Sequence, residues 1–109
     1  MERIDYLPLG SVVYLEGGSR KVMIISRGLI VKNGDGLVFF DYSGVPYPHG
    51  LTDEHVAYFQ HESIVNVVFE GFRDSDDEMA VNAINKYIEN HPELARGNVE
   101  DWQGNMTHT

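Results

Sequence analysis

A chain of 109 residues has room for one hydrophobic core and not for two. An apolar share of 42% with five Phe, six Tyr and one Trp exceeds what a disordered acidic tail carries, and the absence of cysteine excludes disulfides, thiolate metal sites and cysteine nucleophiles. The formal charge of -9 argues against nucleic acid and anionic membrane as partners, because binding a phosphate backbone needs a cationic surface.

Leu7-Pro8-Leu9-Gly10 punctuates the start, and Ser11 to Leu15 is apolar and β-branched enough to predict a strand. Glu16-Gly17-Gly18-Ser19 predicts the turn of a hairpin into a second strand, Lys21 to Ser26, whose Val22, Met23, Ile24 and Ile25 stand in succession as in a strand buried on both faces. A glycine bend at Gly28 leads through Leu29-Ile30-Val31 to Lys32-Asn33-Gly34-Asp35-Gly36, which holds both an Asn-Gly and an Asp-Gly turn signal. Leu37 to Tyr42 predicts the third main strand, ended by Ser43-Gly44 and by Pro46 and Pro48. Val45 to Gly50 is then an irregular loop.

Val56 to Phe59 predicts a short strand, His61 to Ile64 a turn, and Val65 to Phe69 the last strand, closed by Gly71. Ser75-Asp76-Asp77-Glu78 matches a capping box with acidic residues at the positive end of the helix dipole. A helix from about Asp76 to Asn90 follows, with Ala80, Ala83, Ile84, Tyr87 and Ile88 as its inward stripe, stopped before Pro92. The fold class is therefore α+β: a small curled antiparallel sheet or partly open barrel of about five strands with one C-terminal helix. Residues 1–91 form the domain and 92–109 a flexible tail, which contains Leu94, Val99, Trp102 and Met106.

Five basic and five acidic side chains balance in residues 1–50, so all the excess negative charge lies in the second half. Such a surface suits solubility, and it also suits a basic protein partner. His49, His55, His61, His91 and His108 show no tight metal-ligand spacing and read as surface histidines. Asp74 to Glu78 lacks the glycine and distal glutamate of a calcium loop, and Gly17-Gly18 lacks the lysine of a phosphate loop. No nucleophile or acid-base pair stands at a catalytic spacing, so the sequence predicts neither an enzyme nor a cofactor, metal or small-molecule substrate. Tyr42, Val45, Tyr47 and Tyr58 surround the proline loop, and two readings are open: an exposed aromatic patch that anchors a partner, or side chains that complete the core beneath it. Trp102, in a polar tail, is either docked on the domain or a fifth anchor.

Four stretches taken together carry a resemblance: Leu7 to Leu15, Lys21 to Arg27, Asp41-Tyr42-Ser43-Gly44-Val45-Pro46-Tyr47-Pro48-His49-Gly50, and His61 to Ile64 with Val68 to Phe72. Their order and wording resemble the Gram-positive bacterial family catalogued as domain of unknown function 4176, over roughly residues 7 to 90. What the resemblance implies is a cytoplasmic protein-binding module, a targeting factor or chaperone for an LXG-type toxin exported by a type VII secretion system. The implied partner is the helical N-terminal domain of that toxin. An immunity protein neutralising a toxin domain is the alternative, its acidic charge masking a basic site. The Gly28 to Gly36 segment is longer than the family pattern. The N-terminus lacks a signal-peptide core and no run approaches ~20 apolar residues, which fits a cytoplasmic location.

Overall fold

The computed structural model describes residues 3–52 and 56–98. Its strands run β1 (Val12–Leu15), β2 (Lys21–Asn33), β3 (Gly36–Pro46), β4 (Ala57–Phe59) and β5 (Ile64–Phe69), followed by helix α1 (Ser75–Asn90) and a two-residue β6 (Ala95–Arg96). The sheet order is β4-β3-β2-β1-β5, antiparallel throughout, with β6 added parallel to β3. The sheet is open, because β4 and β5 at its two ends do not pair. This is the α+β class expected from the hairpin signals and the single capped helix.

The β2–β3 hairpin is the spine, laddered from Val22↔Pro46 to Asn33↔Gly36 and turned at Gly34, whose φ of 64° is what the Asn-Gly signal demands. β2 continues past Gly28 through Leu29-Ile30-Val31 to Asn33, with one shift of register between Ile24 and Ser26. Gly28 has φ 64° and lies under α1, where an added Cβ would come within 3.0 Å of the Ile84 side chain. It is a site of close helix approach, not of chain reversal. β3 likewise runs beyond the expected end at Tyr42 as far as Pro46. Ser43 and Gly44 are paired on both sides, to Ser26 and Ile24 of β2 and to Tyr58 and Ala57 of β4. Gly44 serves the strand because a Cβ there would meet Val22 at 2.5 Å and the Met23 carbonyl at 2.8 Å.

Helix α1 and the N-terminal segment cover the sheet. Their shared core joins Tyr6, Val13, Leu15, Val22, Ile24, Tyr42, Ala57, Phe59 and Val81, with Ile4, Leu7, Ile64, Ile84 and Ile88 packed against it. The N-cap is Asp74, not Ser75: its side chain accepts from the Asp77 amide, and the acidic first turn meets the helix dipole one residue earlier than the capping box suggested. The inward face is also rotated from the expected stripe. Val81 is buried while Ala83 and Tyr87 are exposed, and the polar Asp77 and Asn85 face inward. Each has a partner there: Asp77 pairs with Arg27 at 2.7 Å, and Asn85 bonds both the amide and the carbonyl of Ile4 at 2.8 Å. Beyond Pro92, Ala95 and Arg96 are part of the sheet, so the chain up to Asn98 belongs with the folded unit. The rest of the expected tail lies outside the described residues.

Candidate functional site

Tyr42, at the centre of β3, is fully buried and stacked on Phe59, with ring centroids 5.3 Å apart. Its hydroxyl accepts from the Leu7 amide at 3.0 Å and lies 2.7 Å from His61 Nδ1. Burial pushes this phenol up to about 12, so at neutral pH it carries its hydrogen, which is placed to donate to His61. Val45, paired to Met23, is also buried. The second reading of the aromatic loop therefore holds for these two: they complete the core, and neither is available to a partner. Tyr58 is half-buried, its ring 5.5 Å from Phe40. Tyr47 is exposed, with the Lys21 ammonium 5.7 Å over its ring, and is the member of the set that presents a free aromatic face. Trp102 and His55 lie outside the described residues.

Among the described residues, one exposed apolar run is not legible from the sequence pattern. β5 is an edge strand, and Val65, Val67, Val68 and Phe69 are 62%, 44%, 48% and 60% exposed. Phe72 just beyond it is 79% exposed. Leu9 is also exposed, and its main chain lies against Gly71, where an added Cβ would collide with the Leu9 carbonyl and whose amide donates to Ser11 Oγ. Within the strand there is no charge and no proline, two of the devices that blunt an edge, although its pairing with β1 carries two shifts of register. Its unpaired main-chain groups and its apolar side chains are thus presented together. Glu62 and Glu70 flank it in sequence, both largely exposed.

A polar knot ties β3 to the β4–β5 connection and to β6. Asp41, fully buried, accepts the Tyr6 hydroxyl at 2.8 Å, the His61 amide at 2.8 Å and Arg96 at 2.7 Å. Burial and the Asp41 charge hold the Tyr6 phenol above its ordinary range, so it acts as a donor. Gln60 bridges the Asp41 amide and the Phe39 and Gly97 carbonyls at 3.0 Å each. The sequence pattern marked Asp41 only as the start of the proline loop, because a buried carboxylate is legible only when its partners, 20 to 55 residues away, are in place. Among the described residues no three His, Asp or Glu side chains are grouped to hold a metal ion, and no helix is long and apolar enough to cross a membrane.

The proline loop that carries the resemblance is thus built into the core through Tyr42 and Val45, and the family described as domain of unknown function (DUF4176) matches residues 6–80. The chain belongs to that family. The DUF4176 match takes in all of β1 to β5, including the exposed edge, and the first turn of α1, while β6 lies beyond it. No curated protein and no solved structure matches the chain.

Proposed function

We propose that this DUF4176 chain is a non-catalytic protein-binding module that docks its partner along β5, with Phe72 and Leu9 extending the contact. The observation that carries the reading is the exposed run Val65, Val67, Val68 and Phe69 on a sheet edge without charge or proline. Monomeric domains seldom leave such a run uncovered, and a partner that covers it removes apolar surface from water. The acidic excess of the second half supports a partner with basic residues around an apolar contact. The partner proposed is the helical N-terminal domain of an LXG-type toxin, with the chain acting in the cytoplasm as targeting factor or chaperone before type VII export. The same acidic surface supports the second reading, an immunity protein covering a basic toxin site.

The test is calorimetry of the purified chain against the two halves of such a toxin, its helical N-terminal domain and its toxic domain. Binding to the first, lost on Val67→Lys, supports the proposal. Binding to the toxic domain alone supports the immunity reading, and binding to neither overturns both.

A further inference from the structure

Strand β6 holds on through two residues of pairing, Val38↔Ala95 and Phe39↔Arg96, and through the Gly97 amide, which donates to the Phe39 carbonyl at 2.9 Å. Its specificity comes from one side chain. Arg96 Nη2 donates to Asp41 at 2.7 Å, to Gln60 Oε1 at 3.0 Å and to Glu62 at 2.9 Å. Gly97 fits next to it because any side chain there would collide with the Phe40 ring.

The receiving pocket is assembled by other parts of the chain. Besides Arg96, the two oxygens of Asp41 accept from Tyr6 and the His61 amide, and Gln60 is held by the Asp41 amide and the Phe39 carbonyl. Groups held by several bonds of their own lose little entropy when they take a ligand, and the two carboxylates, Asp41 and Glu62, call for a cationic N–H donor such as the arginine that fills the slot. The segment that fills it is short, follows an exposed Pro92-Glu93 connection and has Ala95 facing solvent.

We propose that this edge of β3 is a recognition slot for an extended Arg-Gly segment of another polypeptide, and that residues 95–97 occupy it in cis as a built-in competitor. Charge decides the source of the ligand. A second copy would bring another -9 against this one, whereas an arginine-bearing segment of a basic partner meets Asp41, Glu62 and the acidic second half. The proposal rests on the binding-module reading but places the contact on a different surface, so substitution on β5 separates the failure of one from the failure of the other.

The experiment uses the full chain carrying Gly97→Val, which excludes the segment from the slot, and a labelled peptide Pro-Glu-Leu-Ala-Arg-Gly-Asn. Fluorescence anisotropy should give a Kd at least tenfold lower for this chain than for wild type. A peptide carrying R96A should lose at least tenfold, as should the chain with Asp41→Asn added, while Val67→Lys leaves peptide binding unchanged. A Gly97→Val chain folded by circular dichroism that ignores the peptide, or that takes both peptides equally, overturns the proposal. So does a concentration-dependent dimer that excludes the peptide, since the occupant is then a second copy. If Gly97→Val does not fold, Arg96→Ala is tested by the same criteria; if neither folds, residues 95–97 are an integral part of the domain and the slot does not exist.

Discussion

Arg27 of β2 and Asp77 of α1 meet at 2.7 Å with side chains only 7% and 9% exposed, so the helix is held to the sheet by an ion pair shut away from water. Asp77 also takes Arg73 at 2.8 Å, and Arg27 donates to the Leu7 carbonyl at 3.3 Å. Helix, sheet and N-terminal segment are thereby tied at one point. Breaking one side of such a pair strands a charge, whereas replacing both with apolar groups of similar volume is often near neutral. Asp77→Ala is expected to lower stability by about 3 to 5 kcal/mol in urea unfolding, and Arg27→Met with Asp77→Leu to recover most of it. Equal loss in the single and double variants would contradict this account.

The two buried phenols predict how stability responds to alkali. Both have folded-state values raised above the ordinary 10, Tyr42 to about 12 and Tyr6 in the same direction. The unfolded chain therefore releases these protons first, so their contribution is complete below pH 10 and declines as pH rises from 10 toward 12. Each phenol steepens the decline by up to about 1.4 kcal/mol per pH unit in that window. Urea midpoints measured from pH 9 to 11.5 should fall less steeply in Tyr42→Phe than in wild type. Parallel slopes would mean that Tyr42 is not held protonated by the core.

Gly28 gives a third expectation. Its φ of 64° and the 3.0 Å approach of Ile84 both oppose a side chain, so Gly28→Ala should cost more than about 1 kcal/mol. Ile84→Ala in the same chain should relieve part of that loss, since it removes the crowding but not the backbone strain. Thermal unfolding of the two single variants and the double variant measures the coupling.

Tyr47 separates fold from surface. It is exposed, with the Lys21 ammonium over its ring and its amide bonded to the Lys21 carbonyl, so Tyr47→Ala should change stability by no more than about 0.5 kcal/mol. Phe59→Ala, fully buried against Tyr42, should cost about 3 to 5 kcal/mol. Chemical denaturation of both variants checks the contrast.

Local signals carried most of the architecture. The Gly17-Gly18 and Asn33-Gly34 turns, the β-branched runs and the acidic first turn of α1 each act over a few residues, and each element formed where those residues stand. What local pattern could not show is which strand lies at the edge. Val65 to Phe69 is as apolar as Val22 to Ile25, but the first run is exposed on β5 while Val22 and Ile24 are buried on β2. The helix stripe was misjudged for a related reason: Asp77 and Asn85 face inward because Arg27 and Ile4 wait for them, partners 50 and 81 residues away. Tyr42 and Val45 carry the residue types of an anchor, and their burial within β3 shows that they are interior. Arg96 lies in a stretch with no local pattern at all, and its role follows from Asp41, Gln60 and Glu62 alone.

The central claim is that β5 is the docking edge, and calorimetric titration of the helical toxin domain into wild type, Val67→Lys, Phe69→Ala and Tyr47→Ala tests it most directly. Val67→Lys is expected to abolish detectable binding, and Phe69→Ala to weaken it by about 1 to 3 kcal/mol, with unchanged thermal unfolding, as truncation of interface anchors does. Tyr47→Ala should bind as wild type. Undiminished binding by the two β5 variants, with loss confined to Tyr47→Ala, would place the contact on the proline loop and contradict the account.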